Sequence, residues 1–195
     1  MRRVVPVFFF LLFIASPVFS QYEEKDFRLQ PVLGLWFGPI AAVPGTELST
    51  IFNTSLSAGF FARLNIPSDN FLMETGIFYS QLNSDLNAKL LTLPAYMAAV
   101  YKLPVDFALS FYFKGGAGMG FFQNQPENHG GFLPVFFGGF ETSFPAGKFI
   151  NIGVRFDYFM IYETWMNPPT NTSNVKMVNG HIFNVGIMAN FNTNP

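Results

Sequence analysis

The sequence predicts an all-β fold, an eight-stranded antiparallel up-and-down transmembrane β-barrel that follows an N-terminal signal peptide. Three observations predict it. Hydrophobic residues make up 50% of the 195 residues and charged residues only 12%, about half the charge that covers an ordinary soluble domain. Beyond the first twenty residues no apolar run reaches the roughly 18 residues of a transmembrane helix. Lipid otherwise accepts only closed barrels, because an open strand edge leaves backbone groups unpaired. Third, the stretch Phe149–Tyr162, FINIGVRFDYFMIY, has two unlike faces. Ile150, Ile152, Val154, Phe156, Tyr158, Met160 and Tyr162 fall on one parity; Asn151, Gly153, Arg155 and Asp157 fall on the other. Successive strand side chains point to opposite faces. A strand this long therefore has an apolar medium on one side and a polar space on the other, as a tilted membrane strand does.

The chain opens with Arg2 and Arg3, an apolar core Val4–Ile14, and small residues around Val18-Phe19-Ser20 before Gln21. This is the pattern of a signal peptide over 1–20. Residues 21–28, QYEEKDFR, read as a short periplasmic lead-in, and 29–195 as the barrel. The absence of Cys excludes disulfides, Cys-ligated metals and a lipid-attached cysteine. Removing Arg2 and Arg3 leaves nine basic against twelve acidic side chains, so nothing marks nucleic acid as a partner.

Strand one runs from Leu29 to Ala42, with Leu33, Leu35 and Phe37 on one parity and Gly34, Trp36 and Gly38 on the other. Pro44-Gly45 places an outer loop at 43–52. Strand two, Asn53–Asn65, alternates Leu56, Phe60 and Leu64 against Ser57, Phe61 and Arg63, and ends at the turn Ile66–Asn70. Strand three, Phe71–Leu82, sets Phe71, Met73, Ile77 and Tyr79 outward and Glu74, Phe78 and Ser80 inward. Strand four, Lys89–Lys102, is apolar on both parities, and Pro94 predicts a bulge with a register shift there.

Strand five is expected from Phe107 to Phe122, with Phe107, Phe111 and Phe113 outward and Lys114 and a run of glycines inward. A polar loop at 122–131 leads into strand six, Phe132–Phe144, with Phe136 and Phe140 outward and Glu141 inward. Pro145–Lys148 turns the chain into strand seven, and the longest loop is expected at 163–177. Strand eight, Val178–Phe191, places Phe183, Val185 and Ile187 against Ile182, Asn184 and Gly186. Connections after strands two, four and six are shorter than most of the others. Short periplasmic turns and long external loops are the asymmetry of outer-membrane barrels.

These strand phrases, FLMETGIFYS, LTLPAYMAAVYKL, FYFKGGAGMGFF and INIGVRFDYFMIY among them, resemble the small outer-membrane β-barrel proteins of the OmpA/OmpX-like, porin-family type. The resemblance covers nearly the whole mature chain and specifies architecture more than activity. It implies the bacterial outer membrane as location, outer-membrane lipids as partners, and the barrel-insertion machinery as a partner during biogenesis. Such proteins end in an insertion signal, and Asn184–Phe191 is similar to it, with Gly186 and the terminal aromatic Phe191 as its main elements. It departs in having Ala189 where a bulkier residue is usual, and in the tail Asn192–Pro195.

Two sets of residues stand out as sites. The inward parity collects Arg63, Glu74, Lys114, Glu141, Arg155 and Asp157. Eight strands enclose just enough room for side chains, so these are expected to form a paired structural core. Aromatics at strand ends form the second set: Phe71, Tyr101, Phe107, Phe144, Phe149 and Phe191 at the periplasmic side, and Phe37, Tyr79, Tyr162 and Trp165 towards the outside. Girdles of this kind mark both interfaces. Gly115–Gly120 lacks nucleotide-loop spacing, and His129 and His181 are isolated, so no metal, cofactor or catalytic set is expected.

The leading functional reading is non-enzymatic: a barrel with a filled lumen whose loops at 43–52, 122–131 and 163–177 serve envelope integrity or an external partner. One alternative is an outer-membrane lipid-modifying enzyme, which needs a nucleophile and base at the rim; His181 has no Ser two residues on. Others are a small-solute channel and a soluble lipocalin-like barrel, whose faces should be the reverse of these.

Overall fold

The computed structural model describes residues 31–66, 70–85, 87–105, 107–125, 129–162 and 180–192. The expected signal peptide 1–20, the lead-in 21–28, Trp165 and the loop 163–177 lie outside the described residues. The strands are β1 (Val32–Ala42), β2 (Ser55–Asn65), β3 (Phe71–Asn83), β4 (Lys89–Lys102), β5 (Ser110–Gln125), β6 (His129–Pro145), β7 (Ile150–Ile161) and β8 (Gly180–Asn192). Each pairs antiparallel with its sequence neighbour, and β8 returns to pair with β1, closing the barrel. Closure leaves no strand edge, which is the condition for crossing lipid.

The two-residue period sets the faces. In β7, Gly153, Arg155, Asp157, Phe159 and Ile161 are buried while Ile152, Phe156 and Tyr158 are exposed. The same alternation in β3 buries Glu74, Phe78 and Ser80 and exposes Phe71, Met73, Ile77 and Tyr79. β4, apolar on both parities, turns Leu90, Thr92, Tyr96, Ala98 and Val100 inward.

Pro94 produces neither a bulge nor a register shift, contrary to expectation. β4 keeps one register with β5 from Lys89↔Gln125 to Lys102↔Tyr112. With β3 the ladder skips Phe78 and Tyr79 and resumes unshifted at Ser80↔Thr92. In an antiparallel strand, hydrogen bonding alternates between the two neighbours, so the missing N–H weakens one side only.

Three other boundaries differ. β5 begins at Ser110, leaving Phe107 in the preceding turn, 76% exposed. The expected loop 122–131 is mostly strand, because β5 continues to Gln125 and β6 starts at His129. Phe122↔Gly131 and Gln123↔Gly130 are paired there. Polar composition suggested a loop, yet polar side chains do not prevent the backbone from pairing as strand. The third difference is a short helix, α1 (Glu47–Ile51), inside the expected loop 43–52. Leu48 and Phe52 are buried with the interior residues.

The lumen is filled in two layers. Towards the turns after β2, β4 and β6 lie the charged residues. Towards the opposite end lie Ile40, Leu82, Leu90, Leu133, Ile161 and Ile182, all buried, with α1 packed against β1 and β8 there.

Candidate functional site

The structure brings all six inward charges into one buried network. Arg63 comes from β2, Glu74 from β3, Lys114 from β5, Glu141 from β6, and Arg155 and Asp157 from β7. Arg63 Nε and Nη2 donate to Glu74 Oε2 at 2.7 and 2.6 Å, and its Nη atoms also donate to both oxygens of Glu141. Arg155 Nη2 lies 2.6 Å from Asp157 Oδ2 and 3.4 Å from Glu74 Oε1. Lys114 Nζ sits 2.8 Å from Asp157 and 3.3 Å from Glu141. Three cations thus face three anions, every one of them nearly inaccessible to solvent. Charge neutrality is what makes the layer tolerable, since an unpaired buried charge is far costlier than a paired one.

Four aromatic residues frame the ions, and the sequence reading assigned none of them to the site. Tyr96 Oη donates to Glu74 Oε1 at 2.9 Å and accepts from Arg155 Nη2 at 3.1 Å. Phe61 lies between the two arginines, its ring centroid 4.8 Å from the Arg63 guanidinium and 4.9 Å from that of Arg155. Trp36 stands over Arg155 and Tyr112 over Arg63. Such contacts stabilise desolvated guanidinium groups by about 2 kcal/mol each.

Glycines make this packing possible. A Cβ at Gly34 would strike the Phe61 ring, at Gly59 the Trp36 indole, and at Gly76 the Tyr96 phenol. Gly139 lies between Lys114 and Asp157 in one cross-strand row. Lacking a side chain, it lets the ammonium cross to the carboxylate. These glycines sit on the inward parity opposite large rings, a pairing that only the register reveals.

On the outward face, Phe71 opens β3 with its ring 5.0 Å from Tyr101. Phe144 and Phe191 lie near the ends of β6 and β8, Phe149 in the turn before β7, Tyr79 towards the loop end of β3, and Tyr162 just after β7. Phe37 departs from the expected outer position, lying midway along β1 opposite Ala58 and Ile187. The register also joins Phe71, Tyr101, Phe113, Phe140 and Phe156 into one oblique row across five strands. Phe121 and Phe132 pair outward near the loop end, their rings 5.6 Å apart. Of the two residues expected to mark an insertion signal, Gly186 faces inward against Trp36 and Phe191 faces outward.

Chemically, the ionic layer neutralises itself. Among the described residues no group of three His, Cys, Asp or Glu is placed to hold a metal. His181 lies on the outward side, where its Nδ1 shares a hydrogen bond with the Tyr158 hydroxyl.

No family model and no curated protein matches the chain. Solved structures do. The crystal structure of Neisserial surface protein A matches with a TM-score of 0.53 at 11% identity, covering 84% of this chain and 96% of that one. The N-terminal β-barrel domain of Pseudomonas aeruginosa OprF matches at 0.48 and 14% identity, over 85% of this chain and 99% of that one. The outer membrane enzyme PagL matches at 0.49 and 14% identity, over 82% and 97%. What the first match and the closed eight-strand topology establish together is that this chain has the fold of the small eight-stranded outer-membrane β-barrels.

Proposed function

We propose that the protein is an integral β-barrel of the bacterial outer membrane, a rigid, closed scaffold whose outer end serves envelope integrity or meets an external partner. The observation that carries this reading is the outward face. Among the described residues, Lys89 at the start of β4 is the one charged side chain on the outward parity of any strand. Every other strand charge points inward except at the termini of strands. A soluble barrel would need the opposite arrangement, since water must solvate its outside.

The level of the membrane follows from the same face. Gln81, Asn83, Lys89, Gln123 and Gln125 are the outward residues at the loop ends of β3, β4 and β5, and Tyr79, Leu93, Phe121 and Phe132 form the row below them. Aromatic side chains under a polar rim match a lipid headgroup boundary. At the other end, Phe71, Tyr101, Phe107, Phe144, Phe149 and Phe191 form the periplasmic girdle. Gly186 and Phe191 serve as the insertion signal for the barrel-insertion machinery, and residues 1–20 as the export signal. The outer surface for a partner comprises α1, the β5–β6 hairpin at 122–131 and residues 163–177.

A filled, neutral interior argues against a small-solute channel and leaves mechanical rigidity as the task of the ionic layer. The test is fractionation of cells carrying an epitope within 163–177, probed before and after permeabilisation. Outer-membrane recovery with the epitope reached on intact cells is expected. A soluble periplasmic product would overturn the reading.

A further inference from the structure

The loop end of the lumen is built unlike an interior that meets water. Outer-membrane barrels present polar side chains inward. Here, Ile40, Leu82, Leu90, Leu133, Ile161 and Ile182 line that end and are completely or almost completely buried. At that end α1 packs against β1 and β8 and joins the same buried cluster through Leu48, Phe52 and the partly buried Ile51.

This helix is attached weakly. A helix of five residues has no stability of its own, and no side chain caps its first turn. Its polar side, Glu47 and Thr50, faces solvent. Backbone bonds from Val43 to His181 and from Asn53 to Asn83 hold the two ends of the segment to the barrel. Between them, Pro44 is followed by Gly45 at φ 86°, with open space around it. A glycine in the left-handed region is a natural hinge. The segment is therefore fixed at both ends and retained in the middle by apolar burial.

Among the described residues, two buried amides on this side of the ionic layer lack partners: Asn184, in the cross-strand row of Ile40, and Asn124. Asn124, on the inward parity at the loop end of β5, is 2% exposed, and its Oδ1 has no hydrogen-bond partner among the described residues. It lies in the same cross-strand row as Leu90. A buried acceptor without a donor is costly, and calls for a partner.

We infer that the apolar end of the lumen is a binding site for a small, mostly apolar molecule carrying one hydrogen-bond donor, such as an alkylphenol. The ligand enters from outside when the segment 43–52 lifts, takes the space of the Leu48 and Phe52 side chains, and donates to Asn124 Oδ1. The ionic layer below forms the floor, so the site is a pocket with one entrance. This goes beyond a scaffold role, and its failure would leave that role standing.

The test uses the full barrel in phosphatidylcholine nanodiscs, with isoleucine δ1-methyl groups observed by NMR and 4-ethylphenol as probe. Ile40, Ile161 and Ile182 report the lumen, whereas Ile77 and Ile187, both exposed outward, report the lipid side. Saturable shifts are expected at the three lumen methyls, against a linear drift at the outward two. Ethylbenzene, which lacks the donor, should bind about tenfold more weakly, the worth of one neutral hydrogen bond. Asn124→Leu should erase that difference, and Leu48→Ala should tighten binding by shortening a side chain that the ligand displaces. Lumen methyls that merely follow the outward ones in the parent protein would overturn the inference, even if Leu48→Ala binds, since that variant alone would be an engineered cavity. An Asn124→Leu variant that still prefers 4-ethylphenol would overturn the role of the acceptor.

Discussion

Removing Arg155 should expose how far the ionic layer depends on neutrality. Its guanidinium is fully buried, pairs with Asp157 and Glu74, and donates a hydrogen bond to the Tyr96 hydroxyl. Arg155→Met keeps much of the volume but leaves Glu74, Glu141 and Asp157 facing only Arg63 and Lys114. Asp157 then retains Lys114 at 2.8 Å, and Glu74 retains Arg63 and Tyr96. One negative charge is in excess, for which the expected destabilisation is about 3–5 kcal/mol. Asp157→Asn in the same background restores two cations against two anions and should recover roughly 2 kcal/mol or more, so the two changes couple strongly. The assay is urea unfolding in lipid vesicles, followed by tryptophan fluorescence and by gel mobility without boiling, for the parent, both single variants and the double. A cost below about 1 kcal/mol for Arg155→Met, or simple additivity in the double, would refute the argument, because the charges would then not act as a unit.

Three further outcomes follow from the same geometry. Val154 faces outward between Thr142 and Ile187 in the cross-strand row, so Val154→Arg should cost about 2–4 kcal/mol in vesicle refolding, the range for a basic residue at mid-membrane. Two glycine substitutions should separate: Gly76→Ala strikes the Tyr96 ring and should cost about 1–3 kcal/mol. Gly115→Ala meets nothing and should stay within about 0.5 kcal/mol of the parent in the same assay. Pure protein in planar bilayers should give no steady porin-sized current, since side chains fill the interior; sustained conductance would contradict the filled lumen.

Much of the barrel was legible because alternation is a local property. Phe149–Tyr162 announces its two faces without reference to any other strand, and the six inward charges could be picked from parity alone. Their partners could not. Arg63 reaches both Glu74, its neighbour across β2 and β3, and Glu141, on a strand across the lumen. The second contact depends on strand register and on the barrel's curvature. The aromatic frame was hidden for a similar reason: Trp36, Phe61 and Tyr96 look like ordinary strand residues until Gly59, Gly34 and Gly76 are placed against them. Local composition misled in two places. Gln123 to Gly131 has the polarity of a loop, yet its described residues at either end belong to β5 and β6, and Pro94 has the mark of a bulge but costs only pairing on one side. The helix α1 left no periodic signal, since one turn is too short to have a period.

The most direct measurement of the central claim needs no mutation. In nanodiscs containing a phosphatidylcholine with a nitroxide near its chain end, the isoleucine methyls should divide by face. Ile77, Ile152 and Ile187 point outward, and Ile40, Ile161 and Ile182 point into the lumen. A membrane-spanning barrel with this register predicts strong relaxation enhancement for the first three and little for the second three. Equal effects on both sets, or an inverted pattern, would contradict it.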